Sequence, residues 1–156
     1  MKKLMTMLIG LSLVLGTTGD DGDQKSKDAL LRTSDRVAAV VAYYPPTDLR
    51  PWVLESSYYY QHFPALRFDK SKAAAYSPVV QVTPDDAPSL MIHGDQDTLV
   101  PLDHSQKIQA EMQKQHVPCE LIVVKGAAHG FGAADAARAD AARDHWFEKY
   151  LLKPKR

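Results

Sequence analysis

Short apolar runs separated by polar stretches organise the chain. Residues 36–44, RVAAVVAYY, are continuously apolar and partly β-branched after Arg36, and they end at Pro45-Pro46. That pattern predicts a strand covered on both faces. SLMIHG (89–94) predicts a second buried strand, and CELIVVKG (119–126) a third strand. Between them, DHSQKIQAEMQKQHV (103–117) sets Ile108 and Met112 four apart on a polar background, as a surface helix does, and Pro118 would end it. AADAARADAARDHWFEKYLL (133–152) predicts a helix with Ala139, Ala142, Trp146 and Tyr150 on one face and a solvated AARADAARD face. Residues 45–88 carry Trp52, Tyr58 to Tyr60, Phe63 and Phe68 among scattered prolines. They predict a packed excursion with short helices, in which the tyrosines either border a pocket or pack under the loop.

Strand, helix, strand, helix implies parallel strands joined by right-handed crossovers, an α/β fold. All carboxyl ends then lie on one edge, where open α/β sheets bind ligands. Two loops aim there: GDQDTLVP after the second strand and GAAHGFG (126–132) after the third. Asp97 and His129 lie 32 residues apart, about one crossover repeat, so the fold can return them to neighbouring positions. A carboxylate on one imidazole nitrogen fixes the tautomer and supports the charge that develops when the other nitrogen takes a proton.

Each residue has another reading. Asp97 alone could cap its turn, and His129 alone could be an exposed loop residue. His93, Asp95 and Asp97 could form a divalent metal site, although a histidine ending a strand is more often buried structure. His104, His116 and His145 fall on predicted helices and His62 in the excursion, all with surface or satisfied-core roles.

Nineteen basic residues balance nineteen acidic ones in the 156-residue chain. No field steers it to nucleic acid or anionic lipid. Cys119 is the sole cysteine, which excludes an intrachain disulfide and a multi-cysteine metal site and suits a small apolar filler. At the amino terminus, Lys2-Lys3 and LMTMLIGLSLVLG have the charge and length of a secretory signal but lack a small-x-small cleavage pattern. The other reading is a buried helix over 4–16 stopped by Gly16 and Gly19. Localisation therefore divides between the cytoplasm and export with residues 1–19 as the signal. The apolar run is too short for a stable membrane span.

HGDQDTLVP followed by GAAHGF resembles the acid and histidine loops of α/β-hydrolases, in the branch of prolyl oligopeptidase-type peptidases and bacterial acyl and acetyl esterases. YYPPTDL (43–49) resembles the segment closing an earlier strand in the esterases. The resemblance implies a catalytic Asp97 and His129, a loop-shaping Asp95, no cofactor, and a small ester or peptide substrate for the parent protein. It covers 36–152 and, more weakly, the helix at 4–16, which is similar to the one after the nucleophile in this family. The family's glycine-x-serine-x-glycine elbow does not occur; in GLSLV (10–14) Val14 replaces the second glycine and Ser12 lies in an apolar run.

The expectation is one partial α/β-hydrolase domain over 1–156 with its amino-terminal half missing: an apolar segment (1–16), a polar connector (17–35) and the acid- and histidine-bearing half (36–152). The expected parent is a serine esterase, with a prolyl oligopeptidase-type peptidase or a non-catalytic module as alternatives. The strand at 36–44 would be an exposed edge, open to self-association.

Overall fold

Three apolar runs become three parallel strands: β1 (Val40–Tyr43), β2 (Ser89–Gly94) and β3 (Cys119–Val124), in the order β1-β2-β3. The computed structural model describes residues 12–152. Val40 pairs with Ser89, and Ser89 with Cys119, so the strands start level and their carboxyl ends share one edge. Every residue of the central strand β2 is buried: the apolar segment 90–92 suits this, and the polar Ser89 and His93 are hydrogen-bonded there.

The first strand is shorter than the run at 36–44 implies. Val40 N–H donates to Pro88 O (2.9 Å), which begins the ladder. Pro88 has no N–H to continue pairing towards the amino terminus. Arg36 instead ion-pairs with Asp21 and Asp85 at the surface. The third strand also stops early, at Val124, because Lys125-Gly126 turns and Gly126 takes φ +74°.

Helices cover both faces. Residues 12–17 are helical (α1), and Leu13 packs with Val40, Ala42, Met91 and the α3 residues Ile108 and Met112, α3 being Asp103–Lys114. On the opposite face Leu90 and Ile92 meet Ala139 and Trp146 of α4 (Ala133–Phe147), flanked by Val41, Tyr43, Ala142 and Tyr150. Each fully buried large side chain contributes roughly 1.5–3 kcal/mol by leaving water. The helix predicted at 4–16 falls largely outside the described residues. Its described end runs through Thr17, one residue past Gly16, whose carbonyl accepts from Ala87 N–H (3.2 Å).

α3 ends at Lys114, before Pro118. His116 adopts φ +59°, its N–H donates to Gln113 O (3.1 Å), and Val117 N–H donates to Met112 O (2.9 Å). This is a Schellman stop with histidine where glycine is usual. α4 passes into a π-helical turn over Glu148–Leu152. Cys119 is half-buried at the start of β3, against the α1–α3 side of the core.

The 45–88 excursion is packed. Ser57 caps α2 (Tyr58–His62), and single 3-10 turns follow at Pro64–Leu66, Lys70–Lys72 and Pro78–Val80. Trp52 is buried, stacked on Tyr59 at 3.9 Å and tilted over His104 at 4.7 Å. Buried Ser77 accepts from Leu49 N–H (2.8 Å) and donates to Ala73 O (2.7 Å). No described helix is long and apolar enough to cross a membrane.

Candidate active site

The β2–α3 and β3–α4 loops meet at the carboxyl edge of the sheet, and hydrogen bonds from a side chain and the backbone lock them together. Asp95 Oδ1 accepts from Gly126 N–H (2.7 Å), Asp95 N–H donates to Val124 O (3.2 Å), and Gln96 N–H donates to Ala127 O (2.9 Å). Asp95 thus shapes the loop, the role the family resemblance implied for it. Gly94 lets the loops come this close: a Cβ there would strike Ala127 O and stand 2.7 Å from Ala127 C and 2.8 Å from Ala128 O. Any side chain would push the second loop away.

That docking brings Asp97 and His129 together. His129 Nδ1 donates to Asp97 Oδ2 at 2.8 Å; the carboxylate is fully buried and the imidazole side chain 18% exposed. An ionised carboxylate only accepts, so Nδ1 carries the proton and the neutral ring keeps its lone pair on Nε2. The other oxygen, Oδ1, accepts from Leu99 and Val100 N–H, each at 2.9 Å. Turn cap and histidine partner are therefore not competing roles for Asp97: each occupies a different oxygen.

Beneath them lies His93, fully buried. Its Nε2 donates to Val100 O (2.8 Å) and sits 3.4 Å from Asp97 Oδ2, while Nδ1 accepts from Ser105 Oγ–H (2.7 Å). Burial is the main cause that holds its basicity below the ordinary histidine value. Its nitrogens are engaged in hydrogen bonds that fold the 97–100 turn onto β2, the buried-structure reading. His104 behaves alike: Nδ1 accepts from Thr47 N–H (3.1 Å) and Asp48 N–H (3.3 Å), and burial again lowers its pKa.

An aromatic wall borders His129. Tyr44 follows β1 with its ring 4.4 Å from the imidazole and 5.5 Å edge-on to Phe131. Its backbone has φ +40°, costing on the order of 1–3 kcal/mol for a bulky residue. Burial, then the charge of Asp97, raises the phenol above its usual pKa. Sequence reasoning did not single out Tyr44, because nothing in an apolar run marks a residue bound for positive φ. Tyr59 on α2 is likewise raised, by burial first and then by the charges of Asp97 and Asp103. His62, His116 and His145 are not drawn into the pair. Ser12 is the first described residue of α1.

The architecture is similar to known hydrolases. An acetyl ester-xyloside bifunctional hydrolase from Caldicellulosiruptor lactoaceticus superposes with TM-score 0.73 at 24% identity, over 90% of this chain and 53% of its own. A truncated carbohydrate esterase from gut microbiota gives 0.71 at 24%, over 91% and 56%. The esterase Est2 of Thermogutta terrifontis gives 0.67 at 22%, over 94% and 54%. The chain spans about half the length of each of these proteins. At such identities the likeness establishes the fold, a partial α/β-hydrolase sheet. The sequence itself matches the prolyl oligopeptidase family over residues 26–154, and with that match the chain belongs to this family of serine hydrolases.

Proposed function

We propose that the chain carries the acid–base half of a Ser-His-Asp esterase acting on acyl or acetyl esters. The observation that carries the proposal is the 2.8 Å bond between His129 Nδ1 and the fully buried Asp97 carboxylate. His129 Nε2 takes the proton of an attacking serine hydroxyl and then delivers it to the leaving alkoxide. Asp97 holds the tautomer and stabilises the imidazolium between those steps. Water repeats the sequence on the acyl-enzyme. The serine comes from outside the residues that form this sheet, since no glycine-x-serine-x-glycine motif occurs among the 156. By itself the chain is therefore nearly inert.

The ester reading is favoured by the esterases that share the fold over nine-tenths of this chain. A peptidase reading is favoured by the family match, and the chemistry would be the same. The test fuses an elbow-bearing amino-terminal half of a fold relative to this chain and follows acetyl ester and prolyl-peptide cleavage. Ester turnover that falls by about 10⁴-fold or more in His129→Ala is expected. Turnover indifferent to His129 and Asp97 would refute it. The unfused chain should also resist labelling by a fluorophosphonate.

A further inference from the structure

We infer that Tyr44 is a positioning residue for His129, its ring fixing the orientation in which Nδ1 meets Asp97. The inference rests on the reading of His129 as the acid–base group, but its evidence is separate. Tyr44 N–H still donates to Ile92 O (2.8 Å), so the chain is in sheet register when its backbone bends to φ +40°. Pro45 follows, and a residue before proline is driven to strongly negative φ, so two local preferences are overridden at once. The bend sets the ring 4.4 Å from the imidazole at an interplanar angle of 53°. Phe131, two residues beyond His129, meets the same ring edge-on at 5.5 Å, and Tyr43 lies 6.1 Å from Phe131. The histidine loop is thus held by Tyr44 at two points.

The loop requires an external hold. Gly126, Gly130 and Gly132 surround His129, and the first two adopt positive φ, +74° and +133°. A segment so rich in glycine has little intrinsic preference for one conformation. Asp97 fixes one ring nitrogen but leaves rotation about that bond unconstrained, and an aromatic face at 4.4 Å restricts it. The raised phenol pKa, owed first to burial and then to Asp97, places Tyr44 in the same electrostatic neighbourhood. Strain kept at a position where glycine would be relaxed is accounted for if the ring is what is needed there.

The test is proton and nitrogen NMR of the 156-residue chain labelled at histidine, comparing Tyr44→Gly and Tyr44→Phe with the parent. Glycine suits φ +40°, so the first variant removes the ring while relieving the backbone. The His129 Nδ1–H signal is expected to be lost to solvent exchange in Tyr44→Gly and retained in Tyr44→Phe. The buried His93 Nε2–H signal should persist in both. Retention of the His129 signal in Tyr44→Gly overturns the proposal. Loss of both histidine signals in that variant also overturns it, since the ring would then be supporting the fold rather than the imidazole. The readout is a hydrogen bond rather than turnover, so failure here leaves the ester reading standing.

Discussion

Replacing Asp97 separates its two oxygens, and the structure sets the size of the effect. In Asp97→Asn one oxygen remains to accept from Leu99 and Val100 N–H, which the carboxylate does at 2.9 Å. The amide NH₂ then faces His129 Nδ1, at 2.8 Å in the parent, and His93 Nε2, at 3.4 Å. Both present N–H, so donor meets donor. The His129 proton must move to Nε2, which removes the lone pair from the nitrogen that would take a serine proton.

Hydrogen bonds to a charged group are worth about 1.5–3 kcal/mol and neutral ones about 1, so three bonds lose roughly 1 kcal/mol each. A buried amide costs less to desolvate than a buried carboxylate, which offsets part of this. The expected loss of stability is about 1–2 kcal/mol. Asp97→Ala leaves the backbone donors without their acceptor at about 1–3 kcal/mol each, for a loss of about 3–5 kcal/mol. Urea unfolding followed by the fluorescence of Trp52 and Trp146, with histidine nitrogen shifts for the tautomer, measures both quantities. Equal destabilisation by the two variants, or an Asp97→Asn protein whose His129 keeps its proton on Nδ1, would refute the reasoning.

Gly94→Ala should lower stability by about 1–3 kcal/mol, the usual cost of overpacking, because the atoms it meets are backbone, at 2.7 and 2.8 Å; an unchanged urea midpoint would contradict this. Acid should destabilise the fold through His93 and His104, whose pKa values burial lowers. The unfolded chain, titrating near 6.5, then binds more protons than the folded one, so this contribution is complete above about pH 6.5 and is lost as pH falls below it. A urea midpoint flat from about pH 7.5 to 5.5 would disprove that assignment. Among the described residues β1 pairs on one side only, and an unpaired apolar edge recruits other strands. The chain should elute larger than a monomer in size-exclusion chromatography, and a sharp monomer peak would end that expectation.

Much of this arrangement was legible because its causes are local. The run 89–94 is β2 to the residue, its apolar segment 90–92 suiting a strand buried on both faces. Ile108 and Met112 are both fully buried, as their spacing required. Asp97 and His129 were legible as a pair because one crossover repeat fixes where two loop tips return. Most of what sequence did not reveal depends on partners distant in the chain. Pro88 shortens β1 from across the ladder; the stop at His116 is local, but it uses a conformation that glycine usually supplies, so no residue type marked it. The division of labour between the two Asp97 oxygens, and the bend at Tyr44, exist only once three strands are aligned.

The docking of the two loops is internal to one crossover unit, while the His129 ring also leans on Tyr44 from the end of β1. The contacts that align the two loops, Asp95 with Gly126, Gln96 with Ala127 and Gly94 under Ala127, lie within residues 94–127. The turn that presents Asp97 is closed by Leu99, Val100 and His93. None of these contacts involves the segment where the family carries its nucleophile. Under the ester reading, the Asp97–His129 bond, with the Tyr44 ring beside it from the end of β1, can therefore be formed before a serine arrives. On the proposed function, the serine elbow would then dock against an imidazole already in place, at the side of β1 that is unpaired among the described residues.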